Sequence, residues 1–308
     1  MSAQTTLRAA DERIDWIGSI PFFLVHLTPL LAIWTGFRTS DVVLCVALYF
    51  IRMFFISAGY HRYFAHRGYK MGRVMQFLMA AGGSTAAQKG VLWWAGYHRH
   101  HHWYSDQPGD IHSPRDGFFW SHVGWVLCPK YGRTPVELIK DFAKYPELRW
   151  LNKYHLVPPV LLAAGCYLWG GASALVVGFL LSTVVLFHGT FTVNSLTHLF
   201  GSRRYETADT SRNSFIISLW TGGEGWHNNH HHYETTANNG FFWWEFDSSY
   251  YALKILSWFG LVRDLRLPPR FVLEGRRATV EDYRVEPKAL WEEAQEEAVV
   301  SSELSAQD

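Results

Sequence analysis

The stretch "YHLVPPVLLAAGCYLWGGASALVVGFLLSTVVLFHGTFTVNSLTHLFGS", residues 154–202, decides the fold because it contains 49 consecutive residues without Asp, Glu, Lys or Arg. A helix of about 20 apolar residues crosses a bilayer, so this run is long enough for two spans. The glycine pair in "WGGA", residues 169–172, stands where a tight turn would divide it. We therefore predict a helical hairpin with spans near 154–170 and 172–194.

A second hairpin is predicted nearer the N-terminus. Residues 16–37 form a run of 22 residues without a charged side chain, and after the turn "RTSD" a further apolar run covers 42–60. Arg52 interrupts that run, so it should face protein, reach the headgroups or mark the point where the helix leaves the lipid. The uncharged run 74–88 has only 15 residues, which favours an interfacial or buried helix over a crossing.

The distribution of charge predicts the topology. Lys and Arg crowd the segments outside the short turns, so the positive-inside rule places both termini and the middle of the chain in the cytoplasm. We predict an all-α integral membrane protein of the cytoplasmic (inner) membrane. Its four transmembrane helices form two hairpins, and a helical cap of residues 61–153 and 195–270 faces the cytoplasm.

The C-terminal third of the chain gives two further predictions. The aromatic stretch 241–260 is amphipathic, which is typical of a helix at the headgroup level or of a core helix in the cap. From residue 271 onward there are ten acidic and four basic residues, which indicates a solvated tail. We predict one domain over 1–270, followed by this acidic tail, 271–308.

Composition excludes several classes of protein. The formal net charge is +1, with no zinc-finger spacing and no aromatic RNA-binding signature, so we expect no nucleic-acid partner. The three cysteines form no C-x-x-C pair, which favours reduced thiols over a disulfide framework. Aromatic residues make up 17% of the chain, a share typical of membrane interfaces and apolar ligand sites.

Histidines are concentrated in two short segments, "HRHHHWYSD" at 98–106 and "GEGWHNNHHHYE" at 223–234. Each residue of a helix advances by about 100°, so some of these imidazoles share one helix face. In the first segment the shared face holds His98, His101 and His102, and His100 lies opposite. The same arithmetic in the second segment selects His227, His230 and His231 and leaves out His232.

Two further histidine motifs extend this pattern. In "HRYFAHR", His61 and His66 are five residues apart, which is about 140° on an ideal helix, so the pair needs a helix end or a site approached from two sides. In "NSLTH", His198 lies at the cytoplasmic end of the fourth predicted span, and Asn194 lies one turn before it on the same helix face. The other histidines are interpreted as ordinary core or surface residues: His26, His112, His122, His155 and His188.

Repeated histidine motifs of this kind indicate a metal centre. Imidazole is the commonest side-chain metal ligand, and a site made of several imidazoles suits Fe, Zn, Cu or Ni better than Mg or Ca. The selected histidines are too many for one ion, so we predict two.

The motifs "HRYFAHR", "HRHHHWYSD", "NSLTH" and "GEGWHNNHH", together with "DGFFWSHVGWVL" at 116–127, resemble the histidine boxes of the membrane-bound fatty-acyl desaturases, specifically the stearoyl-type Δ9 group in its bacterial and plant-type form. The similarity extends from about residue 16 to 267. It implies a di-iron centre that uses O2, with Asn194 holding metal through water. The implied iron ligands are His61, His66, His98, His101, His102, His198, His227, His230 and His231.

The same resemblance implies the course of an apolar substrate tunnel. Gln88, Trp94 and Thr190 match positions that shape its bend around the reacting carbons, and Tyr49 matches a position that closes its end. Tyr49 and Met53 precede His61 by twelve and eight residues, which is about 18 and 12 Å at helical rise. We expect smaller side chains at these two positions to admit longer acyl chains.

The chain departs from the animal acyl-CoA enzymes at one point. Where those enzymes carry an Arg-Asp pair that contacts CoA, this sequence has Gly96 and Tyr97, so the carrier of the acyl chain is left open between CoA and membrane lipid. No haem, iron–sulfur or dinucleotide signature is present, so electrons must come from a separate donor such as ferredoxin or cytochrome b5 with a reductase. Residues 61–150 carry twelve basic and six acidic residues, a surface that could attract phosphates, anionic headgroups or an acidic carrier.

The function expected from these observations is the O2-dependent introduction of a cis double bond into a saturated long-chain acyl group, with C9 as the expected position. A hydroxylase of the same histidine-box superfamily is one alternative, since a single oxidant can return OH instead of taking a second hydrogen. A metal-transport membrane protein is a second, and it predicts ligands at mid-bilayer or in low-complexity histidine loops.

Overall fold

A computed structural model of the protein describes residues 9–275, and these are mostly helical. The α-helices are α1 (Ile20–Leu27), α2 (Ala32–Thr35), α3 (Thr39–Phe54), α4 (Arg73–Ser84), α5 (Val91–Tyr104), α6 (Phe118–His122), α7 (Lys140–Ala143), α8 (Pro146–Lys153), α9 (Val157–Ser173), α10 (Ser182–Leu199), α11 (Phe215–Thr221), α12 (His227–His232), α13 (Ser248–Trp258) and α14 (Arg270–Leu273). Two π-helical segments cover Phe55–Ala65 and Ala174–Leu181. Short 3-10 helices cover Ala10–Glu12, Thr28–Leu31, Pro114–Asp116, Gly124–Leu127, Pro129–Tyr131 and Val136–Leu138.

Extended structure is confined to one small antiparallel pair within residues 9–275. Strand β1 (Lys70–Met71) pairs with β2 (Val262–Arg263). The chain divides into two compact units, Met1–Leu267 and Pro268–Asp308, and the described part of the second unit contains α14. The rest of the predicted acidic tail, from residue 276 onward, lies outside the described residues.

The first apolar helix is shorter than the predicted span 16–37. It covers Ile20–Thr35, which is about 24 Å at helical rise against about 30 Å for a bilayer core. Pro29 lies in a 3-10 turn inside it, because proline has no N–H to donate to the preceding turn. The helix ends at Gly36, whose φ of +61° is in the left-handed region that glycine adopts without strain.

The second apolar helix is longer than predicted. It runs without a break over Thr39–Ala65, 27 residues, and changes from α- to π-geometry at Phe55. Arg52 is buried in this helix, with 1% of its surface exposed. Its guanidinium donates to Thr183 Oγ1 at 2.7 Å and to Ser182 Oγ at 2.5 Å. Arg52 therefore faces protein and links α3 to α10.

The long uncharged stretch forms a helical run over Val157–Leu199, 43 residues. Gly171 interrupts it with φ +72° and ψ −157°, a conformation outside any helix, and α9 packs against the π-helical segment that follows. The predicted turn at 169–172 therefore contains a real break. In the described part of the chain, Thr39–Ala65 and Val157–Leu199 are the two helices long and apolar enough to cross a membrane.

Further helices lie outside these runs, among them α5 and α12, which carry most of the clustered histidines. The predicted short helix at 74–88 is α4, and it buries Met79 completely. The helix predicted over 241–260 is wrong in extent, because only Ser248–Trp258 is helical. Asp247 sets that start, since its side chain accepts a hydrogen bond from the backbone N–H of Tyr250.

Candidate metal centre

The predicted histidines assemble into two clusters within residues 9–275. Within each cluster, the candidate ligand nitrogens lie within 4.8 Å of one another. The first histidine cluster contains His61, His66, His98, His102 and His230. The second contains His101, His198, His227 and His231. All nine imidazoles that the resemblance implied as iron ligands are therefore brought together, divided five and four.

The π-helical segment explains how His61 and His66 meet. On an α-helix these side chains would be about 140° apart. The backbone N–H of His66 instead donates to the carbonyl of His61 at 3.2 Å, an i to i+5 bond of π-geometry. The wider turn brings the two rings to 4.9 Å, so both side chains enter the first cluster. The sequence prediction placed His61 and His66 on different helix faces because it used 3.6 residues per turn, the value of an α-helix.

Helix α5 supplies both clusters from one face. His98 and His102 are one turn apart, and their Nε2 atoms lie 3.0 Å from each other in the first cluster. His101 lies between them in sequence and turns into the second cluster. His100 points elsewhere, with Nε2 at 3.0 Å from the carbonyl oxygen of Gly109.

Helix α12 repeats this division between the two clusters. His230 enters the first cluster, while His227 and His231 enter the second. His232 lies outside both, and its ring stacks on Tyr205 with the centroids 4.0 Å apart and the planes 6° apart.

Five carboxylates contact the outer nitrogen, Nδ1, of candidate ligands. The pairs are Glu224 with His61 (2.5 Å), Asp110 with His101 (2.8 Å), Glu234 with His102 (2.8 Å), Asp106 with His198 (3.0 Å) and Asp209 with His231 (2.6 Å). A carboxylate that accepts the Nδ1 proton fixes the tautomer in which Nε2 carries a free lone pair for a metal. Sequence reasoning did not select these acids, although several lie within or beside the histidine motifs, as in "WYSD", "GEG" and "HHYE".

The free nitrogens fit metal ions. Nε2 of His66, His101 and His231 is buried without a hydrogen-bond partner. Other Nε2 atoms approach in pairs, at 2.9 Å between His61 and His230 and 3.1 Å between His198 and His227. A metal–imidazole bond of about 2.1 Å places two neighbouring ligands at right angles about 3.0 Å apart, which matches these contacts. An all-imidazole donor set suits iron and similar transition metals.

Electrostatics favours neutral imidazoles in both clusters. Burial lowers the pKa of His98, His227 and His230 well below its usual 6.5, and the neighbouring imidazoles lower it further. Burial by itself would raise the pKa of Asp110, but the adjacent His101 outweighs that effect and the net pKa lies below the usual range. Asp110 is therefore ionised, and His98, His227 and His230 are neutral near pH 7, as metal binding requires. His101 differs, because burial alone would lower its pKa but the adjacent Asp110 outweighs burial and the net pKa is raised.

His112 belongs to the site, although its sequence context gave no reason to select it. Its ring lies 4.2 Å from that of His101, and its Nδ1 is buried without a hydrogen-bond partner. Asp110, His101 and His112 form a third close group of potential ligand atoms. The isolated position of His112 in "DIHSP" made an ordinary core residue the natural interpretation.

A small cavity borders both clusters and is lined by residues of α3, α5 and α10 and of the π-helical segment Phe55–Ala65. Three of the predicted tunnel residues line it, Met53, Trp94 and Thr190, and so does Asn194. The histidines on its wall are His61, His98, His101 and His227. The fourth tunnel residue, Gln88, donates from Nε2 to Thr190 Oγ1 at 2.9 Å.

Tyr49 lies one turn of α3 before Met53, in a tight contact between three helices. Its hydroxyl donates to the carbonyl of Trp220 at 2.9 Å, and the two rings are 4.6 Å apart. Gly189 of α10 faces this pair, and a Cβ placed there would lie 2.6 Å from the Tyr49 hydroxyl oxygen and 3.0 Å from Cε of Met53. Tyr49, Met53 and Trp220 therefore close around a glycine that leaves no space for a side chain. Sequence reasoning missed Gly189 and Trp220.

Comparison with known proteins identifies the family. The family model described as fatty acid desaturase matches residues 40–254, which include both clusters and the cavity. The chain belongs to the fatty acid desaturase family. It is an oxidoreductase of fatty-acid metabolism, and the hydroxylase alternative is not favoured. Its apolar helices fit association with a membrane.

Curated relatives cover most of this desaturase. It is 33% identical to an sn-1 stearoyl-lipid 9-desaturase of Anabaena variabilis, over 85% of this chain and 98% of the relative. It is 36% identical to Delta-9 acyl-lipid desaturase 1 of Arabidopsis thaliana, over 83% of this chain and 85% of the relative. It is 37% identical to an acyl-CoA C20 Delta5-desaturase of Anemone leveillei, over 75% of this chain and 76% of the relative.

Proposed function

We propose that this desaturase introduces a cis double bond at C9 of a saturated long-chain acyl group. The observation that carries the proposal is the cavity that runs from Met53 past Thr190 to the two histidine clusters. The names of the relatives from Anabaena and Arabidopsis, both 9-desaturases, support the position of the double bond.

Two iron ions, one in each cluster, complete the proposed centre. When bound, they supply with O2 and two electrons the oxidant that removes hydrogen from two adjacent methylene groups. The chain itself holds the ligand rings in one tautomer, since carboxylates such as Glu224 and Asp209 accept their Nδ1 protons. Asn194 lines the cavity beside the clusters and is proposed to hold metal through a water molecule.

The cavity walls would select which carbons react. Trp94 stacks on His98 with centroids 5.0 Å apart, so an acyl chain beside Trp94 lies against the first cluster. The Gln88–Thr190 hydrogen bond holds Thr190, another residue of the cavity wall, in position. Such a wall would hold one bond of the acyl chain near the oxidant, which is what regioselective attack on an unactivated chain requires.

We further propose four spans, with the histidine clusters on the cytoplasmic side of the inner membrane. The break at Gly171 divides the longest helix into two segments, and Ile20–Thr35 together with Thr39–Ala65 provides the other pair. Arg38 joins the two turns, because its Nη2 donates to the carbonyl of Gly170 at 2.7 Å. Both turns therefore lie at the same end of the bundle, opposite to the histidines. The proposed desaturase domain covers residues 1–270.

The carrier of the acyl chain is proposed to be a membrane lipid. At the position of the CoA-binding pair of animal enzymes, Gly96 packs against Pro135, and Tyr97 packs against Trp93 and Tyr131. Neither residue can form an ion pair with a CoA phosphate. Electrons are proposed to come from a separate one-electron donor such as ferredoxin or cytochrome b5 with its reductase.

The decisive experiment is expression in a host that lacks its own desaturase, followed by mass spectrometry that locates double bonds in the fatty acids. We expect 9-monounsaturated chains, two hydrogens lighter than their precursors. A product heavier by one oxygen would instead establish hydroxylation. Membranes containing the enzyme, supplied with labelled phospholipid or labelled acyl-CoA, then identify the carrier, and iron analysis of the purified chain should give two ions per chain.

A further inference from the structure

An unbroken series of aromatic rings leads from the second histidine cluster to the surface. His101 contacts His112 with ring centroids 4.2 Å apart, and His112 contacts Trp125 at 5.1 Å. Trp125 lies 6.2 Å from Tyr131, and Tyr131 lies 5.4 Å from Tyr97. Tyr97 is the partly exposed end of the series.

A parallel branch strengthens this series. Trp93 stacks on Trp125 with centroids 5.8 Å apart and planes 9° apart, and it also contacts Tyr97 at 5.2 Å. Trp93, Trp125 and Tyr131 are each less than 10% exposed and form one core cluster. The rings are therefore held in fixed positions and away from water over most of the distance.

The series leads away from the proposed substrate. Trp94 is the aromatic residue that stacks on the first cluster, and it lines the acyl cavity. His112, Trp125 and Tyr131 do not line that cavity. Contact with the acyl chain therefore does not explain their arrangement, which joins a core cluster to a ligand ring.

The redox chemistry of the Trp and Tyr rings determines the direction of electron transfer. Indole and phenol can each lose one electron to a strong oxidant, but neither is reduced by biological donors. A series of Trp and Tyr side chains therefore conducts electrons only toward an oxidised centre. The two ends of the series fit this direction. Trp125 lies near the ligand rings, and Tyr97, whose phenol can release its proton to solvent, lies at the surface.

We infer that the series His112–Trp125–Tyr131–Tyr97 is an electron-supply path that quenches the oxidised metal centre when no acyl chain is bound. The inference rests on the proposed function, because only an O2-oxidised centre needs such protection. It assigns a role to Tyr97, which stands where other members of the family bind CoA, and to His112, whose Nδ1 has no hydrogen-bond partner.

The electron balance is as follows. Trp125 gives one electron to the oxidised centre through His112 and His101, and its indole becomes a radical cation. Tyr97, the partly exposed end, restores the indole through Tyr131 by losing one electron and its phenolic proton, which passes to solvent. A one-electron donor of the class that drives desaturation, together with a proton from solvent, regenerates the phenol, and a second cycle delivers the second electron that returns the centre to its resting state.

The experiment uses the iron-loaded enzyme in lipid nanodiscs, reduced, exposed to O2 without acyl substrate and freeze-quenched for electron paramagnetic resonance. We expect a tyrosyl or tryptophanyl radical in the unaltered enzyme and a several-fold smaller yield in Trp125→Phe. Peptide mass spectrometry should then show more oxidation of His101 and His198 in that variant. Phenylalanine is a suitable replacement because Nε1 of Trp125 has no hydrogen-bond partner to lose.

Two further variants separate electron transfer from packing. Trp125→Tyr retains a ring that can be oxidised and should restore most of the radical, whereas a purely structural role predicts no rescue. Trp150→Phe removes a half-exposed tryptophan of α8 and should behave like the unaltered enzyme. Equal radical yields and equal ligand oxidation in Trp125→Phe and the unaltered enzyme, at equal iron content, would overturn the inference.

A separate assay with acyl substrate keeps this test independent of the proposed function. If the unaltered enzyme desaturates its substrate but Trp125→Phe shows an unchanged radical, only the electron path is refuted. If the unaltered enzyme forms no unsaturated product, the proposed function is refuted, and the electron path with it.

Discussion

The carboxylate of Glu224 lies 2.5 Å from Nδ1 of His61, and both side chains are buried. Burial alone would raise the pKa of Glu224, but His61 and Arg62 outweigh it and lower the pKa to about 2. Glu224 is therefore an ionised acceptor at any working pH. It fixes the orientation of a ligand ring that enters the site from the end of a membrane helix.

Replacing Glu224 by glutamine should weaken metal binding. Glutamine keeps the shape of the side chain but removes the charge that favours the Nδ1 proton, and loss of such a partner costs about 10- to 100-fold in metal affinity or activity. Iron content after dialysis against a chelator, and turnover at saturating iron, measure the effect. Glu147→Gln is the matched control, since Glu147 pairs with Arg73 on the surface at 2.7 Å. Unchanged iron retention in Glu224→Gln would contradict the prediction.

Alanine substitutions of neighbouring histidines in α5 should have different effects on iron content and activity. His98→Ala, His101→Ala and His102→Ala each remove a cluster nitrogen and should abolish desaturation and deplete iron. His100→Ala removes only a contact with the carbonyl of Gly109 and should retain iron and most activity. Iron per chain and product yield are the measurements. Full activity in any of the first three variants would refute the ligand assignment.

Sequence patterns predicted which histidines meet but not how they divide. The angular positions of residues around an ideal helix separated His98, His101 and His102 from His100. These positions cannot show that His101 enters a different cluster from His98 and His102. They also gave the wrong angle for His61 and His66, because π-geometry depends on packing around Phe55–Ala65 rather than on a visible residue period.

Contacts between residues far apart in the sequence could not be predicted from local sequence patterns. Glu224, Glu234, Asp106 and Trp220 contact residues more than 90 positions away along the chain, which no local pattern records. The break in the longest apolar helix, in contrast, was predictable, because "WGGA" marks its position and Gly171 adopts a non-helical conformation there. The extent of the first apolar helix could not be predicted, because Pro29 changes the helix geometry inside an otherwise uniform apolar run.

Two substitutions at the contact between Tyr49 and Trp220, the proposed end of the substrate tunnel, should change chain-length preference in opposite directions. Tyr49→Ala removes a ring that packs against Trp220 one turn of α3 before Met53, so longer acyl chains should be accepted. Gly189→Ala places a methyl group 2.6 Å from the original position of the Tyr49 hydroxyl oxygen, so shorter chains should be favoured. Fatty-acid analysis of cells fed mixed chain lengths measures both. Unchanged product lengths in Tyr49→Ala would refute the placement of the tunnel end.

Arg52 provides a test of the buried contact between α3 and α10. Arg52→Ala should destabilise the protein by about 2–5 kcal/mol, because it leaves a cavity and removes hydrogen bonds to Ser182 and Thr183. Arg52→Met keeps most of the volume without a buried charge and should cost less. Thermal unfolding in detergent compares the two variants. Equal losses would show that the charge itself, and not the volume, stabilises the contact.

Helix α12 contributes to both histidine clusters, through His230 in one and through His227 and His231 in the other. A chain synthesised from its N-terminus therefore completes the first cluster only at residue 230 and the second only at residue 231, although both long apolar helices precede them. Insertion of the helices and acquisition of metal are thus separated in time. A ribosome-bound chain that stops before α12 has its apolar helices but no complete metal site, so metal is acquired only late in biosynthesis.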